Sequence, residues 1–524
     1  MDFLFIPLDI LLFLAGLFLA FLAASSLAVY SYGRFAELAR GPASQALPVR
    51  EDETDLDRNI APRLDDHPDQ SGLMMMQGNL QAFAARAHAA QSAGRSLDMQ
   101  YYYWRNDLTG GLLARELLGA ADRGVRVRLL IDDINTRGHD AIHMALDLHP
   151  NVEIRLFNPS RARANTFHRG LEMLLRIFST TRRMHNKAWI ADGRLAIVGG
   201  RNIGDAYFDA STGINFRDMD LLMIGQGVQE TEAIFDSFWN SGQVLPIASL
   251  SRAPADALDK LRTRLEALCD NEAAQPYLQR VSQERNAERM LSKRQRLYWS
   301  KEISVVSDPP EKASGRGQES WLSRAILPMM IAAERELQIT SPYFIPGEAG
   351  VKRLTSMARE GVDISILTNS LAATDVAAVY GAYSNYRKAM LQAGIKLYEL
   401  RPKLGGRNIS LFGSRSARLH TKAFTVDGEA GFIGSFNFDP RSVSLNTEMG
   451  VLFRHVGLAE DVQDIFAEQC DFTNSYHLVL EDGKVAWIDN LQGTDRTWQR
   501  PPEAGIWRRI AAAILGFLPV ESQL

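Results

Sequence analysis

The chain opens on an unbroken apolar run. Ile10 to Val29, ILLFLAGLFLAFLAASSLAV, spans 20 residues without a charged side chain. As a helix it extends about 30 Å, the thickness of the hydrocarbon core of a bilayer. A cleaved signal peptide would carry basic residues ahead of a shorter run. Here Asp2 and Asp9 are the charged residues ahead of it, although Ala23, Ala24 and Ser25 would suit a cleavage site. The pattern therefore predicts an uncleaved anchor over residues 1–33. Arg34, Arg40 and Arg50 follow it. The positive-inside rule then predicts a single-pass protein of the inner (cytoplasmic) membrane with its body in the cytoplasm. Residues 34–70 are polar, contain proline and show no period, and they read as a linker.

Beyond the linker the pattern repeats. SLDMQYYYW (Ser96 to Trp104) reads as a strand, TGGLLARELLGAADRG as a helix, and VRVRLLIDD and VEIRLFN as strands. The same order returns in ELQITSPYF (Glu336 to Phe344), GVKRLTSMAREG, VDISILTN and IKLYEL. Strands alternating with helices predict an α/β fold with a parallel-rich sheet. Two copies about 240 residues apart predict a duplicated domain. The expected bounds are 71–250 and 301–475, with a helical insertion over 251–300 and a C-terminal segment over 476–524.

Composition narrows the class. The chain has 524 residues, a net charge of −4 and two cysteines, Cys269 and Cys470. The length predicts more than one domain, the charge disfavours a wholly basic nucleic-acid binder, and two distant cysteines make neither a disulfide framework nor a zinc cluster.

The chemistry lies in two matching elements, RMHNKAWIADGRLAIVGGRN (Arg183 to Asn202) and RLHTKAFTVDGEAGFIGSFN (Arg418 to Asn437). The first places His185, Lys187, Asp192, Gly199, Gly200 and Asn202 at the spacing of His420, Lys422, Asp427, Gly434, Ser435 and Asn437 in the second. In a strand, residues two apart share a face, so each His and Lys point together. Asp-Gly suits a tight hairpin turn. Each copy thus offers an imidazole, an ammonium and a carboxamide, a set able to hold a phosphate and attack or protonate it. The inventory offers no open set of metal ligands.

These elements resemble the paired motifs of the phospholipase D superfamily over about residues 71–475. The resemblance implies two tandem domains packed about a pseudo-twofold axis, with both motifs in one cleft. It implies a phosphohistidine intermediate, no metal and no cofactor. His185 would be the nucleophile and His420 the general acid and base. Lys187, Lys422, Asn202, Asn437 and Ser435 would hold the phosphoryl oxygens. Asp192 and Asp427 complete the catalytic motif and are expected to steady the hairpins. Asp220, in FRDMDLL, and Glu448, in LNTEMG, stand where the family's His-orienting carboxylates belong. Gly200 departs from the family's Gly-Ser pair, which removes a hydroxyl from one half.

LDMQYYYWRND, ADRGVRVRLLIDDINTRG, GGRNIGDAYF and NSLAATDVAAVYGAY are more narrowly similar to bacterial cardiolipin synthases, the C-type subgroup most of all. That resemblance implies transfer of a phosphatidyl group to the headgroup hydroxyl of phosphatidylglycerol, with phosphatidylethanolamine as the C-type donor. Phospholipids and the membrane are then the partners, and nucleic acid is not. A phospholipase would share every catalytic residue, so that alternative stays open. An inactive lipid-binding protein fits poorly with two intact motifs. Two stretches suit a lipid surface. Arg161 to Lys187 holds seven Lys or Arg around an apolar middle, which suits an anionic bilayer or a core helix with solvated arginines. Ile506, Ile510, Ile514 and Phe517 share a helical face that would lie in the interface or dock on the protein itself.

Overall fold

The computed structural model of the protein describes residues 8–136, 140–163, 166–283, 297–402, 416–491, 493–517 and 521–523. The apolar run is one helix, α1 (Leu8–Ala39), with no buried residue and with length and hydropathy enough to cross a membrane.

Residues 34–70 differ from the expected linker. After α1 an extended stretch lies on the first domain, where Pro42 O accepts from Arg155 and Ala46 N donates to Asp236. Helix α2 (Asp55–Asp65) then starts on a reciprocal cap, with Asp57 N donating to Thr54 Oγ1 and Thr54 N to Asp57 Oδ2. Leu56 and Ile60, four apart, fall on its buried face. Asp57 holds Arg95 and Arg194, each at 2.6 Å. The T-x-x-D cap ahead of that apolar pair was the readable signal.

Each domain is built on the same seven strands. The first has β1 (Ser71–Met76), β2 (Ser96–Tyr101), β3 (Arg126–Asp132), β4 (Val152–Phe157), β5 (Ala188–Ala191), β6 (Leu195–Gly199) and β7 (Asp220–Gly225). The second has β8 (Ile303–Ser307), β9 (Glu336–Thr340), β10 (Asp363–Asn369), β11 (Lys396–Leu400), β12 (Ala423–Val426), β13 (Ala430–Gly434) and β14 (Met449–Arg454). Their orders, β1-β7-β6-β5-β2-β3-β4 and β8-β14-β13-β12-β9-β10-β11, correspond strand for strand. In each, three strands run parallel and the motif hairpin pairs antiparallel beside them. The sheets share a core in which Val198, Leu221 and Met223 meet Ile433, Met449 and Val451.

Two expected boundaries shift. Residues 251–300 contain helices Ala257–Asp270 and Gln275–Gln283, residues 284–296 lie outside the described ones, and Tyr298–Ser300 is an edge strand on β1. The stretch beyond 475 begins as sheet, not as a separate tail. Ser475–Glu481, Lys484–Asp489 and Arg496–Trp498 add to β11 in turn. Tyr476, Leu478 and Trp487 from these strands are buried in the second core, an alternation typical of strands.

The segment from Arg161 to Lys187 contains helix α3 (Thr166–Leu175), against which α1 lies. Ser25 Oγ donates to Leu175 O at 2.5 Å, Arg161 sits over the Phe35 ring and Arg176 over that of Tyr32. Neither expectation for the segment holds as stated. Its cations are engaged within the protein: Arg169 with Asp133, Arg163 with Asp133 and Asp140, Arg176 with Glu172, and Arg183 with Asp132. It exposes the apolar side chains Phe167, Leu171, Leu174 and Ile177 beside Arg161 and His168. At the far end, helix α4 (Ala377–Ser384) carries α5 (Ile506–Phe517) on its back.

Candidate active site

The two hairpins start the site. Asp192 and Asp427 adopt φ of 55° and 54°, and the glycine after each is also left-handed, which closes a two-residue turn. Their carboxylates accept backbone N–H groups that lead into β2 and β9. Asp192 takes Gly94, Arg95 and Ser96, and Asp427 takes Glu334, Arg335 and Glu336. Neither lines the cleft. These two motif carboxylates register the hairpins and do not meet the reacting groups.

Short backbone pairings between the domains place the histidines. Residues 416–419, ahead of His420, pair in parallel with 214–217 of the first domain, and His420 N donates to Arg217 O at 2.8 Å. Likewise Met184 bridges Thr447 and His185 N donates to Thr447 O at 2.8 Å. Each histidine thus rides beside the segment that carries a carboxylate of the other domain. His185 Nδ1 meets Glu448 Oε2 at 2.8 Å, and His420 Nδ1 meets Asp218 Oδ2 at 2.5 Å. Where the carboxyl is ionised it accepts, so the proton sits on Nδ1 and Nε2 keeps its lone pair.

Asp218, not Asp220, therefore faces His420. The strand register explains the error. Gly199 opposes Asp220 just as Gly434 opposes Gly450, so the counterpart of Glu448 lies two residues before Asp220. Asp220 points into the first core, where it pairs with Arg86 at 2.9 Å and Arg201 at 3.3 Å. Ser435 is also reassigned. It is fully buried, and its hydroxyl donates to Glu448 Oε2 at 2.5 Å instead of facing the cleft. At the matching place, a Cβ on Gly200 would come within 2.2 Å of Asp218 Oδ1. The missing hydroxyl is room for the shorter carboxylate.

Both imidazoles line one cavity of about 840 Å³, together with Asn202, Asn437, Tyr102, Tyr207 and Arg441. Lys187 Nζ donates to His185 O and Lys422 Nζ to His420 O, so each ammonium is held beside its histidine. The side-chain oxygens of Asn202 and Asn437 make no hydrogen bond among the described residues, and a turn of either amide presents its NH₂. The histidines differ in their surroundings. The Tyr102 ring stands edge-on to His185 at 5.0 Å, whereas His420 meets the rings of both Tyr207 and Phe216 at 5.1 Å, with the Tyr207 hydroxyl 3.4 Å from Nε2. That hydroxyl also takes Asn202 Nδ2 at 3.2 Å. Tyr207 was not foreseen as a site residue, since one tyrosine in GDAYF carries no spacing signal.

Burial dominates the electrostatics. It holds His185 well below the ordinary imidazole range, helped by Lys187 and Lys422. It pulls His420 down to about 4, with Lys422 adding to the effect and Asp218 opposing it. Both imidazoles are neutral at rest. Burial also pushes Lys187 down to about 7 and Lys422 to about 8. Glu448 is pushed up to about 7 by burial, against the pull of Lys187. Asp218, despite equal burial, stays below the usual range because His420 and Lys422 stabilise its charge. Such displaced values cluster where groups exchange protons.

Comparison with known proteins fits this geometry. The family model described as "Cardiolipin synthase, PLD-like domain" matches residues 87–239 and 326–470. Cardiolipin synthase C of Escherichia coli (strain K12) is 39% identical over 88% of this chain and 98% of its own. The chain belongs to the cardiolipin synthase family. Cardiolipin synthase of Staphylococcus aureus (strain Mu50 / ATCC 700699) is 24% identical over 76% of this chain and 67% of that one. Among solved structures, phosphatidylserine synthase of Haemophilus influenzae Rd KW20 overlays with a TM-score of 0.53 at 13% identity, covering 80% of this chain and 92% of that one, a likeness of fold. Within this family of phospholipase D-like phosphatidyltransferases, the two matched segments enclose both histidine elements and both carboxylates that reach them.

Proposed function

We propose that the protein makes cardiolipin by transferring a phosphatidyl group to the headgroup hydroxyl of phosphatidylglycerol, with His185 as the covalent carrier. The observation that carries this reading is the pair of neutral, carboxylate-held imidazoles facing one cleft with an ammonium beside each. In the first step His185 Nε2 attacks the donor phosphorus and the bond to the donor headgroup oxygen breaks. His420 gives that oxygen its proton; the anionic phosphodiester in the cleft raises the pKa of His420 enough for it to carry one. Lys187, Lys422, Asn202 and Asn437 take the developing charge. In the second step the phosphatidylglycerol hydroxyl passes its proton to His420, attacks the phosphorus, and His185 leaves. The choice of His185 as nucleophile is supported by Tyr207, whose hydroxyl sits at Nε2 of His420 and suits a proton-transfer role there.

Phosphatidylethanolamine is the proposed donor, with α1 as a single membrane span and the body on the cytoplasmic side, as Arg34 and Arg40 after the span suggest. The test is purified full-length protein in mixed vesicles of phosphatidylglycerol and phosphatidylethanolamine. Cardiolipin should be the main product and phosphatidic acid a minor one. Mainly phosphatidic acid would make the protein a phospholipase. External protease on spheroplasts should leave the body intact.

A further inference from the structure

A second cavity of about 360 Å³ opens beside the catalytic cleft. Ile134, Met173, Leu174, Ile177 and Thr180 form its walls, and Tyr102 and Arg441 belong to both cavities. The cations at its rim are engaged within the protein. Arg441 Nη2 donates to Thr181 O at 2.6 Å, and Arg183 reaches Asn158 O and Asp132. The groove is therefore an apolar channel with its charges tied back.

Its two ends indicate what fills it. The inner end is Tyr102, whose ring stands edge-on to the His185 imidazole at 5.0 Å. A phosphorus bonded to His185 would lie beside this ring. The outer end is formed by α3 and the turn after it. There Leu171, Leu174 and Ile177 are exposed, and the same helix carries α1 through the Ser25 to Leu175 hydrogen bond and the Tyr32–Arg176 contact. The groove thus runs from the ring beside His185 to the helix that bears the span.

We propose that this groove binds an acyl chain of the phosphatidyl group carried by His185, so that the donor lipid enters from the α3 side. The proposal rests on the phosphohistidine reading above and deepens it. The chain keeps its contact with apolar surface while the phosphate sits in the polar cleft, which lets the headgroup change without the diacylglycerol leaving.

The test uses full-length protein, vesicle donors of increasing acyl length, and bis(p-nitrophenyl) phosphate as a chainless phosphodiester. Wild type should turn over long-chain donors faster. Leu174→Trp and Ile177→Trp, which fill the groove from different positions, should each lower kcat/KM for long-chain donors about tenfold. The loss should be confined to substrates with chains, so the length dependence flattens. A loss shared equally with the chainless substrate, or a length dependence intact in both variants, overturns the groove. Wild type carrying a donor with a diazirine at the chain end should be labelled at Ile134 and Thr180. Label on α1 and none in the groove overturns the proposal even if the variants misfold. Cardiolipin formed without any chain-length dependence removes the groove and leaves the transferase standing. No cardiolipin and no acid-labile phosphoenzyme removes both.

Discussion

His420 in the second domain is held by Asp218 in the first, Nδ1 to Oδ2 at 2.5 Å, and His185 and Glu448 repeat the exchange in the other direction. Each motif histidine thus takes its carboxylate from the other domain. Asp218→Asn should leave the fold intact and lower kcat by about 10²–10⁴-fold, because the amide no longer fixes the imidazole tautomer. Asp220→Asn should behave differently. It breaks a buried pair with Arg86, at a cost of about 3–5 kcal/mol in stability. Urea denaturation beside steady-state rates separates the two. Equal stability losses would mean that Asp218 is another core acid.

The asymmetry of Gly200 and Ser435 makes a second prediction. Ser435 Oγ donates to Glu448, whereas at Gly200 the space belongs to Asp218. Restoring the motif's hydroxyl by Gly200→Ser should therefore lower activity, since a Cβ 2.2 Å from Asp218 Oδ1 must push that carboxylate off His420. Ser435→Gly removes one donor from a carboxylate, worth about 1.5–3 kcal/mol, and should push the Glu448 pKa further up. Rates of both variants against pH decide it. A Gly200→Ser enzyme as fast as wild type would contradict this account of the gap.

Much of this was legible in the chain. The duplication and the Asp-Gly turns are local patterns, and local patterns survive folding, although the strands begin at Ala188 and Ala423, just past each His-x-Lys. The missed elements depend on register between segments far apart. Asp218 and Asp220 stand two residues apart at the start of β7, and only the pairing of β7 with β6 shows which one reaches the other domain. Ser435 looked like a phosphate ligand because its neighbour Glu448 is 13 residues away in sequence and touching in space. The strands beyond 475 escaped because their partner, β11, lies some 80 residues upstream.

A third prediction concerns alkaline pH. Lys187 and Lys422 have pKa values lowered to about 7 and about 8, chiefly by burial. Below those values both are ammonium ions, and as pH rises through them the charge that holds phosphate is lost. The kcat/KM profile, which reports the free enzyme, should fall above about pH 7. A bound phosphate anion favours the ammonium form, so the limb in kcat should lie at higher pH. In Lys187→Arg the guanidinium stays charged, and the first step of the limb should vanish even though the rate falls with the altered geometry. A limb unmoved in that variant would assign it to another group.

The last prediction concerns the outer face of α5. Its inner face is fixed to the protein. A Cβ on Gly381 would lie 2.3 Å from Ala512 O, Ala512 is buried, and past the helix Tyr386 donates to Glu521 at 2.6 Å. Gln523 reaches the catalytic cleft itself, so deleting the end of the chain would strip a wall of the site. The outer face is another matter. Ile506, Trp507, Ile510 and Ile514 are exposed, Trp507 to 80%; the side chain of Phe517 lies outside the described residues. Each such side chain gains about 1.5–3 kcal/mol when an apolar phase covers it. Pressed against lipid, this face would close the cleft mouth to water, and a phosphohistidine that meets lipid hydroxyls instead of water is transferred rather than hydrolysed. Trp507→Asp combined with Ile514→Asp should weaken vesicle binding and raise the share of phosphatidic acid over cardiolipin. Hydrolysis of a soluble phosphodiester should stay at the wild-type rate, because neither residue lines the cleft. Vesicle flotation and product analysis on the same preparations measure both effects, and an unchanged product ratio alongside weakened binding would show that α5 does not govern the access of water.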